Sequence, residues 1–327
     1  AENGHLPEFK RLFSEHKVFE TASEEKYENI EPWIQWLSAH TGMAYEEHGI
    51  FRLGDAVGSD IKQIWGVLEN HGVSVGAVSP MNAENDLKKP AYFIPDPWTE
   101  TEVSGSFSTR VLFDAVKTAV NANAGGKFGV GTYAGLLLGA ARYARPNNWK
   151  SYVELSLGSK GRPWRKAIFL DRLLADVFLA LQKTNRAQFT TLFLNAGAHT
   201  QHHYMFNSPL YEGEHKNPSW YVHPDDDPVL EVYRCYDGIL GDIRRHFPKS
   251  RLLIFTGLHQ DPYPHLVHYW RLKNHAEFLQ SAGLSDFTVS PRMSRDFLIE
   301  ASSSSKLDEA AQILTDARID GSDTAVF

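Results

Sequence analysis

The residues of this chain best suited to chemistry are its histidines. His199, His202 and His203 fall together in Ala198-His199-Thr200-Gln201-His202-His203-Tyr204, and His259 falls in Thr256-Gly257-Leu258-His259-Gln260-Asp261. A neutral imidazole ligates metals, and near pH 7 it also serves as acid or base. Three residues separate His199 from His203. On a helix that spacing puts both rings on one face, one turn apart, a common two-imidazole metal arrangement. His202 points about 100° away from that face. Asp261 stands two residues beyond His259, where a carboxylate orients an imidazole from behind.

Each cluster follows a short apolar run that reads as a buried strand, at 189–195 and 251–256. In an open α/β sheet, ligands gather just past the carboxyl ends of the strands. The two clusters are therefore expected to meet at one sheet edge as one metal or acid–base site, with His199, His203 and His259 as its candidate metal ligands. A nitrogen-rich site suits zinc, manganese or iron better than magnesium, with zinc first.

Oxygen donors and charge clamps are spread more widely. Glu28, Glu31, Glu46 and Glu47 lie in the first fifty residues. Asp96, in Ile94-Pro95-Asp96-Pro97-Trp98, and Asn82, just past an apolar run at 73–79, are the candidates for substrate contact. Asp225, Asp226 and Asp227 form an acidic run that caps the following helix, where negative charge at the amino end is favourable. Arg292 and Arg295 follow the last candidate strand and suit the clamping of an anionic substrate.

The elements that must position these groups alternate. Helices are expected over 60–72, 227–247 and 274–282, each followed by a strand at 73–79, 251–256 and 287–290. Asp60 is expected to cap the first of these helices. Such alternation predicts an α/β fold, a doubly wound, mostly parallel sheet with helices on both faces. Residues 85–188 break the pattern with a proline-rich start, a glycine-rich segment at 125–131 and helices at 108–121 and 164–183. They read as an inserted helix-rich cap, with 1–84 and 189–327 as the core. A last helix is expected over 307–318.

Bulk properties narrow the classes. The chain has 327 residues, 42% of them hydrophobic and 22% charged, which is globular. The formal net charge of −7 argues against general attraction to nucleic acid or an anionic membrane. Lys160, Arg162, Arg165 and Lys166 form the one local basic stretch singled out. Cys235 is the single cysteine, so an internal disulfide and thiolate zinc sites are excluded. With no apolar run long enough for a span and no signal segment at the start, the expected location is cytoplasmic.

Several segments together resemble the alkaline phosphatase superfamily, in its phosphodiesterase, nucleotide pyrophosphatase-like or sulfatase-like branches. Leu6-Pro7-Glu8-Phe9-Lys10-Arg11-Leu12-Phe13 is similar to an early Pro–aromatic–x–x–Leu segment, and Thr41-Gly42 with Glu47-His48-Gly49-Ile50 is similar to a TG…HGI signature. Ile64-Trp65-Gly66-Val67-Leu68 with Gly72 and Val75-Gly76 resembles the family's next helix and strand. His199 to His203 occupies the place of a DxxxH motif, and Thr256 to Gln260 that of an SDHG motif. The resemblance covers most of the chain. It implies a doubly wound core with an inserted cap, two divalent metals, and a Thr, Ser or modified Cys nucleophile acting on phosphate or sulfate esters.

The departures from that pattern are specific. His199 stands where an aspartate is expected, and Leu258 stands where the second aspartate is expected. The nucleophile position falls near Glu31-Pro32. The family's first strand, with its metal-binding aspartate, would precede Pro7, where this chain supplies six residues. The resemblance thus implies a site of His199, His203 and His259 with Glu31 as fourth ligand or general base. The expected function is a metal-dependent hydrolase or transferase acting on a phosphate- or sulfate-linked small molecule or sugar. The alternatives are a mononuclear non-haem metal enzyme of altered, oxygen-based chemistry and a non-catalytic relative that binds a glycan or a partner.

Overall fold

The protein is described by a computed structural model that covers residues 3–23, 26, 31–121, 129–263, 265, 272–291, 297–321, 323 and 326. It is a mixed α/β chain. The elements in order are α1 Pro7–Glu15, α2 Pro32–Thr41, α3 Tyr45–His48, α4 Ile64–Asn70, β1 Val75–Val78, β2 Tyr92–Ile94, α5 Phe107–Asn121, α6 Val130–Tyr143, α7 Trp149–Leu157, α8 Trp164–Asn185, β3 Phe189–Leu192, α9 Ala196–Tyr204, α10 Pro228–His246, α11 His275–Ser281, β4 Phe287–Pro291, β5 Phe297–Ala301 and α12 Ser304–Asp316. No described helix is long and apolar enough to cross a membrane.

The chain divides into two compact units, residues 1–117 with 130–265, and residues 118–129 with 266–327. In the first, β2, β1 and β3 form a parallel sheet in that order. β1 is central and buried along its length, as its unbroken small-apolar sequence VGAV requires of a strand covered on both faces. Gly76 pairs with Tyr92 on one side and Thr190 on the other. The Tyr92 ring crosses the face of Gly76, and a Cβ there would overlap the ring carbons. The hydroxyl beyond the crossing meets Thr190 Oγ1 at 2.6 Å and donates to Gln182 Oε1 at 2.9 Å. One side chain thereby ties all three strands to α8.

Helices bury the sheet. α8 lies against β1 and β3, α10 against α8 and α9, and α1 against α10. Trp164, Ile168, Ala175, Ala196, Tyr204, Val232 and Ile239 form the core between these helices. Trp65, Val75, Ala77, Ala83 and Phe93 form a second core around β1. Residues 130–185, read from the sequence as part of a cap, contribute α6, α7 and α8 to this same unit. The basic stretch is tied there to the start of α10: Arg162 Nη2 meets Asp226 Oδ1 at 2.7 Å, and Arg165 Nε meets Glu231 Oε1 at 2.8 Å. Asp227 caps α10 as expected, accepting from Leu230 N at 2.9 Å. Asp60 does not cap α4. Gln63 takes the cap position, and its side chain instead bridges Asn82 O and Glu84 N.

In the second unit, β4 and β5 pair antiparallel with Phe287 opposite Ala301, and α11 and α12 pack on the pair around Leu279, Leu284 and Ala310.

Two expected strands are corrected. Residues 251–256 form no strand; Leu253 and Phe255 are each 69% exposed. The apolar run satisfies strand propensity, but a strand also needs a hydrogen-bonded partner, and β3 pairs with β1 alone among the described strands. The strand at 287–290 does form, as β4, but it pairs antiparallel with β5 and does not extend the parallel sheet. α6 and α7 lie in segments where the sequence had suggested no helix.

Candidate functional site

From β1 the chain passes to β2 on one side and then crosses to β3 on the other. Strand order therefore reverses between β1 and β3, the position at which open α/β sheets form a crevice. The loop after β1 and the helix after β3 face that edge.

The loop after β1 is held in an unusual shape. Ser79 (φ 58°) and Asn82 (φ 53°) both take the left-handed conformation, which costs a non-glycine residue on the order of 1 kcal/mol and persists only where its surroundings dictate it. Asn82 shows how. Its Oδ1 accepts from Gly54 N at 2.8 Å and its Nδ2 donates to Trp33 O at 3.2 Å. Its own N–H donates to Asp96 Oδ2 at 2.9 Å. Asp96 also accepts from Trp98 N, Thr99 N and Thr99 Oγ1. Burial raises the Asp96 pKa against the pull of these four bonds. Both side chains are fully buried. Asn82 and Asp96, read from the sequence as substrate contacts, spend their polar atoms on clamping the start of α2 and the end of β2 onto β1.

The clamp holds the start of α2, which Glu31 precedes. Glu31 is exposed and stands two residues before Trp33, whose carbonyl Asn82 holds. Further along α2, Trp36 meets Phe193 edge-on at 5.1 Å, just past β3. α2 thus lies along the carboxyl edge that α9 enters.

α9 begins without a capping side chain of its own. Asp171 of α8 supplies the cap, with Oδ2 accepting from Ala196 N at 2.8 Å. Tyr236 of α10 donates to the same oxygen at 2.6 Å, and its hydroxyl oxygen accepts from Gly197 N at 2.7 Å. Gly197 permits this approach, since a Cβ there would stand 2.9 Å from the Tyr236 ring. Burial lifts the Asp171 pKa to about 6 against these hydrogen bonds, and burial beside Asp171 holds the Tyr236 hydroxyl protonated.

The helix so anchored presents His199 and His203 side by side, ring centroids 4.9 Å apart. His203 Nδ1 meets Tyr221 Oη at 2.9 Å, and Tyr221 stacks on Tyr204 at 5.4 Å. In the tautomer whose Nδ1–H donates to Tyr221, the lone pair lies on Nε2. Surrounding protein and the imidazoles of His203 and His202 pull the His199 pKa down to about 4. His202 and His203 are lowered too, chiefly by burial. Their outer surfaces remain open to solvent. Each of these shifts favours the neutral ring, the form in which imidazole binds metal.

His259 does not join it. It is exposed, and its Nε2 meets Asp261 Oδ1 at 2.8 Å, the carboxylate pairing its spacing suggested. Among the described residues, no three His, Cys, Asp or Glu side chains come together to hold a metal ion. Arg292 and Arg295 lie outside the described residues, as do Glu28 and most of the glycine-rich segment.

Two other histidines have defined places. His48 Nδ1 accepts from Ile50 N and so leaves Nε2 to donate to Ser38 Oγ, which makes it a neutral brace for the turn after α3. His40 is sunk beside Trp65, ring centroids 4.6 Å apart, and burial drives its pKa down to about 3. Sequence reading missed His40, Asp171, Tyr221 and Tyr236. The available signal for Asp171 was an acid inside the apolar run Ile168-Phe169-Leu170-Asp171-Arg172-Leu173-Leu174, since a charge there must be paired or hydrogen-bonded.

No protein-family model, curated protein or solved structure matches this chain.

Proposed function

We propose that the chain is a metal-dependent hydrolase or transferase of the alkaline phosphatase type, acting on a phosphate- or sulfate-linked small molecule or sugar. The observation that carries this reading is the pair of adjacent imidazoles, His199 and His203, on a helix that starts directly past β3 at the reversal of strand order. The reading takes the three parallel strands as part of a doubly wound sheet. His199 and His203 would hold a divalent metal, zinc by preference, with manganese or iron as the alternatives. The described residues supply two nitrogen donors, so the remaining positions fall to water and substrate oxygens. When bound, such a metal polarises a phosphoryl or sulfuryl oxygen. Within the chain, Tyr221 fixes the His203 ring, Asp171 and Tyr236 fix the helix, and Glu31 at the same sheet edge serves as general base. The buried, unpaired Cys235 accords with a reducing, cytoplasmic setting.

A non-catalytic, glycan-binding reading has one observation in its favour. Trp220 is 74% exposed and meets Tyr221 edge-on at 5.9 Å, which presents an aromatic face near the histidines.

The test is elemental analysis of folded wild-type protein and of the His199→Ala/His203→Ala variant after incubation with zinc, manganese or iron. Stoichiometric metal in the wild type and none in the variant is expected. Equal metal content in the two, or none in either, overturns the metal-centred reading and leaves the glycan-binding one.

A further inference from the structure

α6 has no charged side to turn to water. Over its 14 residues it carries no acid and one cation, Arg142, near its end. A helix apolar nearly all round is ordinarily buried all round. Here only the inner side is covered. A Cβ on Gly135 would meet Ala115 and Val111 of α5, and one on Gly139 would meet Leu112, so the small residues seat α6 against α5. Val130, Tyr133, Leu137 and Leu138 look outward, and each is more than half exposed.

α7 continues the pattern. Tyr152 and Leu155 are buried, while Trp149, Val153 and Leu157, at four-residue steps along one face, are each more than half exposed. This row starts at Trp149, whose Nε1 donates at 3.2 Å to the carbonyl of Ala144, the residue after α6. The two apolar rows therefore adjoin. Single apolar side chains on a surface are ordinary, but a row of this length marks a contact with a protein or a membrane.

Charge selects between those partners. The whole chain is acidic, with a net charge of −7, yet residues 130–166 hold seven cations and a single acid, Glu154. Three of the cations are committed to acids in α10 or just before it. Arg145 meets Asp242 at 2.7 Å, Arg162 meets Asp226 at 2.7 Å and Arg165 meets Glu231 at 2.8 Å. Arg142, Lys150, Lys160 and Lys166 are exposed. Among the described residues, Lys150 alone of these four pairs with a carboxylate, Glu154, at 3.8 Å. Three of the four border the apolar rows: Arg142 is one turn past Leu138, Lys150 one turn before Val153, and Lys160 three residues past Leu157.

A second copy of the chain fits such a face poorly, since a two-fold contact would set it against itself, cation against cation. A protein partner fits poorly as well, because protein interfaces deplete lysine. A lipid surface with anionic headgroups accepts both parts. The leucines and valines enter the boundary between headgroups and acyl chains, tryptophan and tyrosine favour that same depth, and the cations meet the headgroup phosphates.

We infer that the outer face of α6 and α7 docks on an anionic lipid surface. The inference is independent of the chemistry proposed for α9.

The experiment is co-sedimentation of the full chain with vesicles of phosphatidylcholine, alone or with about one third phosphatidylserine. Saturable binding to the anionic vesicles is expected, about tenfold or more tighter than to the neutral ones and weakened by added salt. Leu137→Ser/Leu138→Ser should weaken it by about tenfold or more. Leu157→Ser, on the other helix, should weaken it independently. Arg142→Gln/Lys150→Gln should also cost about tenfold or more on anionic vesicles and nothing on neutral ones. Leu253→Ser/Phe255→Ser, in a separate exposed apolar run, should leave binding unchanged. All these positions are exposed, and circular dichroism checks that each variant is folded. No binding to anionic vesicles overturns the inference, as does equal binding to both kinds. Equal weakening by Leu253→Ser/Phe255→Ser would mean general apolar adhesion and overturns it too. A dimer in solution that Leu137→Ser/Leu138→Ser dissociates, without vesicle binding, would assign the face to a second copy and overturn it as well.

Discussion

Tyr236 donates its hydroxyl proton to Asp171 Oδ2 at 2.6 Å while its oxygen accepts the amide proton of Gly197 at 2.7 Å. Residues from α10 and α8 together close the amino end of the helix that carries His199 and His203. The imidazole pair is therefore oriented by two helices distant in sequence, and its geometry is coupled to the main helical core.

Tyr236→Phe keeps the ring and removes the bridge. It leaves Asp171 with one donor fewer and the Gly197 amide without its acceptor. A loss of about 1–3 kcal/mol is expected, the usual cost of stranding a buried polar partner. Urea denaturation at pH 7 measures it; an unchanged midpoint would show that the bridge carries no weight.

Asp171 also sets a pH dependence. Its folded pKa of about 6 lies above its ordinary 3.8, so the folded state binds the proton more tightly. The contribution is fully present below pH 3.8 and is lost as pH rises through about 6. Asp171→Asn should remove this component. Between those limits the stability of wild type relative to the variant should fall as pH rises, read from urea midpoints at half-unit steps.

The histidines act with the opposite sign. His199 and His40 have folded pKa values of about 4 and about 3, below the ordinary 6.5. Their contribution is fully present above pH 6.5 and is lost as pH falls toward those values. In an NMR titration the His199 ring signals should stay at their neutral positions down to pH 5. Titration near 6.5 would mean that the α9 face is open water and would remove the reason to regard the pair as poised for metal.

Gly76→Ala places a methyl group against the Tyr92 ring where β1 and β2 pair. Overpacking of this kind costs about 1–3 kcal/mol. Tyr92→Leu in the same background should recover part of it, because the smaller side chain vacates the face of residue 76. Equal stability of Gly76→Ala and wild type would contradict the crossing of Tyr92 over the strand.

Leu253→Ser and Phe255→Ser separate the two accounts of residues 251–256. Exposed as they are, each substitution should change stability by less than about 0.5 kcal/mol. A buried strand there would lose about 2–5 kcal/mol for changes of this size. An exposed apolar run of this kind favours aggregation, so Leu253→Lys should reduce light scattering of concentrated protein.

Local pattern determined a good part of this protein. Apolar periodicity and caps gave α5, α8, α10, α11 and α12, and the apolar runs before the first histidine cluster and after Gly72 gave β3 and β1. The four-residue step from His199 to His203 set them on one helical face. These features are legible because helix and strand periods are properties of neighbouring residues. Only the tertiary structure decided the rest. Whether 251–256 pairs with β3, and whether β4 joins the parallel sheet or turns back on β5, depend on which backbone is free to bond, which no local run encodes. The roles of Asn82 and Asp96 changed for the same reason: a polar residue reads alike in sequence whether it faces a ligand or clamps a loop. Asp171, Tyr236 and Gly197 meet only because α8, α9 and α10 pack together, so the support of the histidine helix exists in three dimensions alone.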